Sequence, residues 1–270
     1  MDLLEQTKKL CKLYNIKPAR SRGQNFLIEE KVYDDIIAAA DLQPDDVVLE
    51  VGTGLGFLTA KLAAQAKKVI AVELDDKLAE VLKIALAAKG IKNVEVVNED
   101  ILKTQPAKEN YKIVANLPYN ITSIFLRRFL EVENKPKLMV LMLQKEVAQR
   151  ITAQAGKMSL LAVSVQLYGL PEIVQIVPAK NFWPQPEVDS AIIKIEARSK
   201  KFEVNDKEFF RLVKFGFIAK RKMLKNNLAA GLRLDIKLVE NKLVSADFNP
   251  KIRAQELSVE DWLKLLSDFS

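Results

Sequence analysis

The chain has 270 residues, of which 49% are hydrophobic, enough for one large domain or for a large domain and a small one. It contains no histidine, which excludes Ser-His-Asp hydrolases, Cys-His proteases and metal sites that use imidazole. Lys and Arg number 42 and Asp and Glu 35, so the net charge is +7.

The positive charge is concentrated in two stretches of the chain. Residues 1–24 hold six basic and two acidic residues, and residues 200–230 hold nine and three. The rest of the chain therefore sums to −3, and two basic stretches flank a mildly acidic body. This pattern predicts a polyanion partner such as RNA, although ordinary solvated lysines would give the same charge.

Cysteine content and hydropathy give an expectation about the compartment. Cys11 is the single cysteine, so no internal disulfide can form, as is typical of a reducing compartment. The first twelve residues lack the apolar run of a signal peptide, and the apolar run at 138–143 is too short to cross a bilayer. We expect a cytoplasmic, soluble protein that is not attached to a membrane and, without any oligomer signal, a monomer.

The first predicted helix, at 29–40, follows a segment in which Asn25 could either reach a ligand or cap backbone groups. A buried strand at 47–51 then leads into a glycine loop and a helix at 57–66. Strand, glycine loop and helix form the first unit of a nucleotide-binding α/β fold.

The glycine loop has the spacing Glu50-x-Gly52-x-Gly54-x-Gly56. A nicotinamide dinucleotide site uses Gly-x-Gly-x-x-Gly instead, so this spacing argues against an oxidoreductase of that kind. A carboxylate ahead of closely spaced glycines favours a ligand without a diphosphate. S-Adenosylmethionine, with a sulfonium and no phosphate, is such a ligand, and glycine lets the backbone approach it closely.

Three polar residues end successive predicted strands. Glu73 follows the strand at 68–72 and is placed to accept hydrogen bonds from ribose hydroxyls. Asp100 follows the strand at 94–97 and could accept from an adenine amine, and Asn116 follows the strand at 112–115. Their convergence at one edge of a sheet predicts a binding site there.

The loop Asn116-Leu117-Pro118-Tyr119 combines an amide, a rigid proline and an aromatic ring. Pro118 restricts Leu117 to extended conformations, which would aim the Leu117 carbonyl outward. The four residues suit a planar heterocycle that carries an exocyclic amine. By themselves, however, these four residues favour a helix-entry turn in which Tyr119 packs on the core.

The remaining pattern predicts strands at 137–143, 173–177 and 190–197, followed by helices. A stiff loop between the last two strands carries Phe182 and Trp183, which would be exposed or line a cleft. Of the two, we expect Trp183 rather than Phe182 to be the one that anchors in the core if either does. Helices are predicted at 206–219, 221–231, 236–244 and 258–268. We therefore place a catalytic domain at 1–198 and a helical domain, which helps to bind the polyanion, at 199–270.

Several motifs occur in order along nearly the whole chain: Gly23 to Leu27, Glu50 to Gly56, Asn116 to Asn120, Leu143 to Arg150, Phe182 to Ala191 and Arg221 to Leu228. Together they resemble the ribosomal RNA adenine N6-dimethyltransferase family, and within it the bacterial 16S enzymes. The resemblance implies a Rossmann-like class I methyltransferase sheet of seven strands with a small all-helical C-terminal domain.

The resemblance also implies S-adenosylmethionine as methyl donor, no metal, and two adjacent adenines near the 3′ end of 16S rRNA as acceptors. The implied cofactor-binding residues are Asn25, Leu27, Gly52, Gly54, Glu73, Asp100 and Asn116. The implied catalytic residues are Asn116 and Leu117, which would hold the adenine N6, and Tyr119 and Phe182, which would stack on the base. The expected RNA-binding residues are Arg20, Arg22, Lys220, Arg221, Lys222 and Lys225.

The same sequence admits two further interpretations. A 23S rRNA methyltransferase of the macrolide-resistance type would use the same chemistry, but Leu117 and the long C-terminal region argue against it. A non-catalytic RNA-binding or transcription factor on this fold is disfavoured by the intact glycine loop with Glu73, Asp100 and Asn116.

Overall fold

The computed structural model describes residues 1–19, 23–104, 110–198, 202 and 204–269. The chain divides into two compact units. The first contains Met1–Ala148 and Gly169–Ala197, and the second contains Gln149–Tyr168 and Arg198–Ser270. The predicted domain boundary, between residues 198 and 199, lies one residue after the point at which the chain last passes from the first unit to the second. Residues 149–168, which the sequence analysis placed in the first domain, lie in the second unit because they form a helix that packs with the later helices.

The first unit is built on a sheet of seven strands. In spatial order they are β4 (Val94–Val97), β3 (Lys68–Val72), β2 (Val47–Val51), β5 (Tyr111–Asn116), β6 (Leu138–Gln144), β9 (Ser190–Ala197) and β7 (Gly169–Val177). Pairing is parallel from β4 to β6, and β9 runs antiparallel to both of its neighbours. The predicted Rossmann-like sheet is confirmed.

The strand order places a ligand crevice between β2 and β5. Connections from β2 run outward to β3 and β4, and the chain then returns to pair β5 with the other side of β2. At such a switch point the loops after the two strands diverge and leave a crevice at their carboxyl ends. The strands themselves are apolar and mostly buried, as expected for a parallel sheet that is covered on both faces.

The helices of the first unit are α1 (Leu3–Leu13), α2 (Glu30–Ala40), α3 (Phe57–Ala63), α4 (Asp76–Ala88) and α5 (Thr122–Leu130), and α6 (Lys145–Ile151) follows β6. Helix α1 was missed, so the expectation that the first helix begins near residue 29 is wrong. Its start is set by Asp2, whose carboxylate accepts a hydrogen bond from the Glu5 amide at 2.8 Å. Thr7 and Cys11, four residues apart, are its buried residues.

A second, two-stranded sheet was also absent from the prediction. Strand β1 (Phe26–Leu27) pairs antiparallel with β8 (Phe182–Trp183), with Leu27 opposite Phe182. Two-residue strands leave no periodic pattern in a sequence, so only the fold reveals this pairing.

The second unit is helical, as predicted. It contains α7 (Leu160–Tyr168), α8 (Asp206–Gly216), α9 (Leu224–Leu232), α10 (Ile236–Ser245) and α11 (Val259–Phe269). Trp262, Phe209 and Leu228 are fully buried in its core. Gly216 allows the close approach of α8 to α11, because a Cβ there would lie 2.2 Å from the Trp262 ring. In the part of the chain that the structure describes, no helix has the length and apolar character needed to span a membrane.

Candidate functional site

A cleft of about 230 Å3 lies in the first unit where β2, β3 and β5 end. Each of the seven residues expected to bind the cofactor lines it. These residues are Asn25, Leu27, Gly52, Gly54, Glu73, Asp100 and Asn116. The structure thus brings together side chains that are spread over more than 90 positions in the sequence, and it does so at the crevice that the strand order predicts.

The glycine loop forms one wall of the cleft. Gly52 has φ +73° and Gly54 has φ +55°, which are left-handed conformations that favour glycine. A Cβ on Gly52 would lie 3.2 Å from the Asn116 carbonyl oxygen, and one on Gly54 would lie 3.4 Å from the Phe26 ring. The loop is therefore packed closely against the end of β5 on one side and against β1 on the other.

Glu73 ties the glycine loop to the end of β3. Its Oε2 accepts hydrogen bonds from the Gly54 amide at 3.0 Å and the Thr53 hydroxyl at 3.2 Å, and its Oε1 accepts from the Asp75 amide at 3.1 Å. Burial raises the pKa of the Glu73 carboxyl, and these donors oppose the rise. The carboxylate is thus preorganised at the cleft with acceptor capacity left for a ligand hydroxyl.

Glu50 does not take part in the cleft as the sequence spacing suggested. Its side chain is 1% exposed, it is absent from the cleft lining, and neither carboxylate oxygen has a hydrogen-bond partner among the described residues. Burial raises the pKa of Glu50 to about 8; the nearby Thr59 hydroxyl opposes this and the charge of Glu73 adds to it. Because its carboxyl group is buried and does not line the cleft, Glu50 has no direct contact surface for a ligand there.

The Asn116–Tyr119 loop forms the facing wall. Asn116 and Pro118 line the cleft, while the Leu117 side chain is 1% exposed and its amide donates to the Met142 carbonyl at 3.3 Å. Only the main chain of Leu117 is left to meet a ligand. The Tyr119 side chain is half-buried, and burial raises the pKa of its phenol.

The two aromatic residues of β8 differ from the expectation. Phe182 is 3% exposed and packs in the hydrophobic core with Leu27, whereas Trp183 is half-buried. The prediction that Trp183 rather than Phe182 is the core residue is wrong, because pairing of β8 with β1 places Leu27 against Phe182. Phe182 thus lies next to a cleft residue, but its ring is covered in this structure.

Sequence reasoning missed most of the apolar residues of the cleft, among them Leu74 and Ile101. Leu74 follows Glu73 and is 60% exposed, and Ile101 follows Asp100 and is 5% exposed; both line the cleft. An exposed leucine directly after a strand-end carboxylate is the signal that could have identified this surface. Apolar side chains beside polar strand ends suit a flat heterocycle with hydrogen-bonding edges.

The expected RNA-binding residues have different environments. Arg20 and Arg22 lie outside the described residues. Lys220, Arg221 and Lys222 are exposed in the segment between α8 and α9 of the second unit. Lys225 is instead only 19% exposed and forms an ion pair with Glu240 at 2.9 Å.

The buried Asn227 side chain stabilises the backbone that leads into this exposed basic segment. The side-chain amide of this 3% exposed residue donates to the Gly216 carbonyl at 2.6 Å and to the Ala219 carbonyl at 3.1 Å. These hydrogen bonds fix the backbone at the start of the basic segment.

The described residues contain no group of three or more Cys, Asp or Glu side chains arranged to hold a metal ion.

Comparison with known proteins agrees with this geometry. Residues 15–269 match the family model described as ribosomal RNA adenine dimethylase. A ribosomal RNA small subunit methyltransferase A from Dehalococcoides mccartyi (strain CBDB1) is 46% identical, over 99% of this chain and 94% of its own length. A protein of the same name from Bacillus pumilus (strain SAFR-032) is 38% identical, over 96% of this chain and 94% of its own.

Two solved structures share the fold at 31% identity. The dimethyladenosine transferase from Plasmodium falciparum superposes with a TM-score of 0.81, over 90% of this chain and 97% of that one. The 23S rRNA methyltransferase ErmE superposes with a TM-score of 0.76, over 90% of this chain and 99% of that one. Matches of this extent establish descent, and the chain belongs to the ribosomal RNA adenine dimethylase family.

Proposed function

We propose that the protein transfers methyl groups from S-adenosylmethionine to N6 of two adjacent adenines near the 3′ end of 16S rRNA, as a step of small-subunit assembly. The observation that carries the proposal is the cleft itself, where Glu73, Asp100 and Asn116 lie at the carboxyl ends of three parallel strands of one sheet, beside the glycine loop that follows β2. The 46% identical relative that is named a small subunit methyltransferase supports the choice of RNA.

The cleft residues fit S-adenosylmethionine in chemistry. Glu73 offers carboxylate oxygens to ribose hydroxyls, and Asp100 offers an acceptor to the adenine amine. Gly52 and Gly54 expose backbone without side chains, which leaves room for the methionine part, and Asn25 and the Leu27 segment close the cleft from β1. When bound, this molecule supplies a methyl group that is already activated on a sulfonium.

The chain's own contribution on the acceptor side is to hold an amine. The adenine N6 is a poor nucleophile because its lone pair is delocalised into the ring. If its N–H groups donate hydrogen bonds to the Asn116 side chain and the Leu117 carbonyl, the nitrogen becomes more tetrahedral. Alignment of that nitrogen with the methyl group is then the main catalytic effect, and it requires no imidazole base.

The target base must leave its stack before it can enter the cleft, and an aromatic ring can receive it. We assign this role to Tyr119, whose neighbours Pro118 and Asn120 line the cleft. Stacking contributes roughly 1–3 kcal/mol per base. Phe182 fills the same role only if its ring becomes uncovered when RNA binds. We propose that exposed Lys220, Arg221 and Lys222 contact RNA phosphates, with Arg20 and Arg22 also contributing and Lys225 acting through its ion pair.

The experiment that tests the function separates cofactor binding from transfer. Asn116→Ala should still bind the cofactor product S-adenosylhomocysteine in calorimetry, with affinity reduced because Asn116 lines the cleft. It should fail to dimethylate 16S rRNA in cells that carry only this variant. Asn241→Ala, an exposed change on α10, is the matched control and should support normal dimethylation. Full dimethylation by Asn116→Ala would refute the proposed role.

Purified 23S rRNA tests the alternative substrate. The similarity to ErmE makes this RNA the relevant competitor. We expect no methylation of it under conditions in which small-subunit RNA is modified, and we also expect the protein to act as a cytoplasmic monomer.

A further inference from the structure

The Tyr119 ring is held at both ends. Its main chain forms the short 3-10 turn Tyr119–Ile121, and the Thr122 hydroxyl donates to the Tyr119 carbonyl at 3.3 Å. At the far end of the ring, the Tyr119 hydroxyl lies 2.9 Å from the Ser190 hydroxyl, and the two share a hydrogen bond. These contacts fix the direction of the long axis of this half-buried ring.

Ser190 is a fixed point for this contact. It is 0% exposed and begins β9, where it lies opposite Gln144 of β6 on one side and Val177 of β7 on the other. A residue that is paired on both sides within a sheet cannot follow the ring if the ring turns. The hydrogen bond therefore ties the Tyr119 side chain to the rigid sheet, and the neighbours of Tyr119, Pro118 and Asn120, line the cleft.

We propose that Ser190 is a positioning residue, which holds the Tyr119 ring where it can receive the unstacked adenine. This inference rests on the proposed function. A tyrosine has two side-chain torsions, and without the contact at its hydroxyl a change of the first torsion can swing the ring away from the position that stacking requires. Each excursion removes one wall of the acceptor site and misaligns N6.

A neighbouring contact supports this view of the start of β9. Asp189, the preceding residue, accepts a hydrogen bond from the Ala179 amide at 3.1 Å and so braces the turn Ala179–Asn181, which leads into Phe182. Two consecutive residues of one strand end thus hold the segments that carry both predicted stacking residues. A role limited to satisfying a buried hydroxyl would affect stability alone, which makes the two interpretations separable.

A double-mutant cycle separates them. Ser190→Ala and Tyr119→Phe each remove one hydroxyl and leave the volume nearly unchanged. We expect each to lower kcat for methylation of small-subunit RNA about tenfold, the effect of losing one buried hydrogen bond. The affinity for S-adenosylhomocysteine should not change. The double variant should be no slower than the slower single variant, because both changes remove the same bond.

The matched control is Tyr111→Phe. Tyr111 begins β5, at the opposite end of the strand from the cleft, and its hydroxyl donates to the Asn134 carbonyl at 3.4 Å. This variant should lose some thermal stability and keep its kcat. If Ser190→Ala does not fold, Ser190→Cys, which keeps the size and weakens the hydrogen bond, takes its place.

A readout independent of catalysis completes the test. In NMR relaxation of 13C-labelled tyrosine, the long axis of the Tyr119 ring should show restricted motion in the wild-type protein and markedly larger motion in Ser190→Ala. The proposal is overturned by unchanged motion of the ring axis, by a kcat within twofold of wild type, or by losses that multiply in the double variant. If the wild-type protein methylates no RNA, the proposed function fails, while the ring dynamics still decide whether Ser190 positions Tyr119.

Discussion

Replacement of the buried Glu50 by glutamine should stabilise the protein relative to the wild type, and this advantage should grow as pH rises. The carboxyl group is 1% exposed, has no hydrogen-bond partner among the described residues, and has a pKa raised by burial from 4.5 to about 8. Between these two values the unfolded chain loses the Glu50 proton and the folded protein keeps it. The unfolded state is then favoured, so this group's contribution to stability falls with rising pH and levels off above about pH 8.

The size of the effect follows from the two pKa values of Glu50. At pH 7 the unfolded carboxyl is 2.5 pH units above its pKa of 4.5 and the folded one is still protonated, which corresponds to about 3 kcal/mol. The full difference, reached above pH 8, is about 5 kcal/mol. Glutamine stays neutral in both states, so Glu50→Gln removes this penalty while it keeps the shape of the side chain.

Urea unfolding followed by circular dichroism at pH 5, 6, 7 and 8 measures the effect. We expect the free energies of unfolding of wild type and Glu50→Gln to differ by less than about 1 kcal/mol at pH 5 and to diverge by about 3 kcal/mol by pH 7 in favour of the variant. Glu80→Gln, a change at an exposed position of α4, controls for the loss of one net charge. A difference that is constant with pH, or one that favours the wild type as pH rises, would refute this reasoning.

Three further predictions concern the cofactor, the glycine loop and the RNA. Glu73→Gln should weaken the binding of S-adenosylhomocysteine at least tenfold in calorimetry, because a neutral amide is a poorer acceptor for ribose hydroxyls; unchanged affinity would count against the ribose contact. Gly56, at φ +81°, is packed so closely that an added Cβ would lie 2.6 Å from a side chain of α4, so Gly56→Ala should lower the free energy of unfolding by about 1–3 kcal/mol. Gly90, at φ +66°, has no atom within 4 Å of its added Cβ, so the control Gly90→Ala should cost only about 1 kcal/mol, and equal costs would contradict the packing argument. Lys222→Ala should weaken RNA binding and flatten its salt dependence without a change in melting temperature, while Lys225→Ala should mainly lower the melting temperature; the reverse pattern would exclude the proposed RNA surface.

Strongly periodic segments were predictable because their signals are local. The strand 47–51, the glycine loop and the strand 68–72 occur where the sequence predicts them, since a buried parallel strand needs only an apolar run bounded by turn residues. The edge of the sheet where Glu73 and Asn116 meet was predictable for a related reason, because parallel strands end on one side of the sheet.

What the sequence could not show depends on pairing between distant segments. The contact of Leu27 with Phe182 joins residues 155 positions apart through two-residue strands, and it reverses the expected burial of Phe182 and Trp183. The ion pair with Glu240 likewise gives Lys225, an expected RNA contact, an acidic partner 15 positions away in the chain. Neither contact leaves a periodic trace in one sequence.

The assignment of 149–168 to the helical unit is a third case. Helix α7 is apolar, and Ala162, Val163 and Val165 are among its buried residues. From composition alone, such a helix could pack in either unit. Its neighbour α11, about a hundred residues later in the chain, decides where it packs.

Mass spectrometry of 16S rRNA tests the central claim most directly. The RNA is taken as small-subunit particles from a strain that lacks its own enzyme, and it is analysed before and after incubation with the purified protein and S-adenosylmethionine. The account predicts four added methyl groups, two on each of two adjacent adenines near the 3′ end, and none with Asn116→Ala. Methyl groups at any other position, or full transfer by Asn116→Ala, would contradict it.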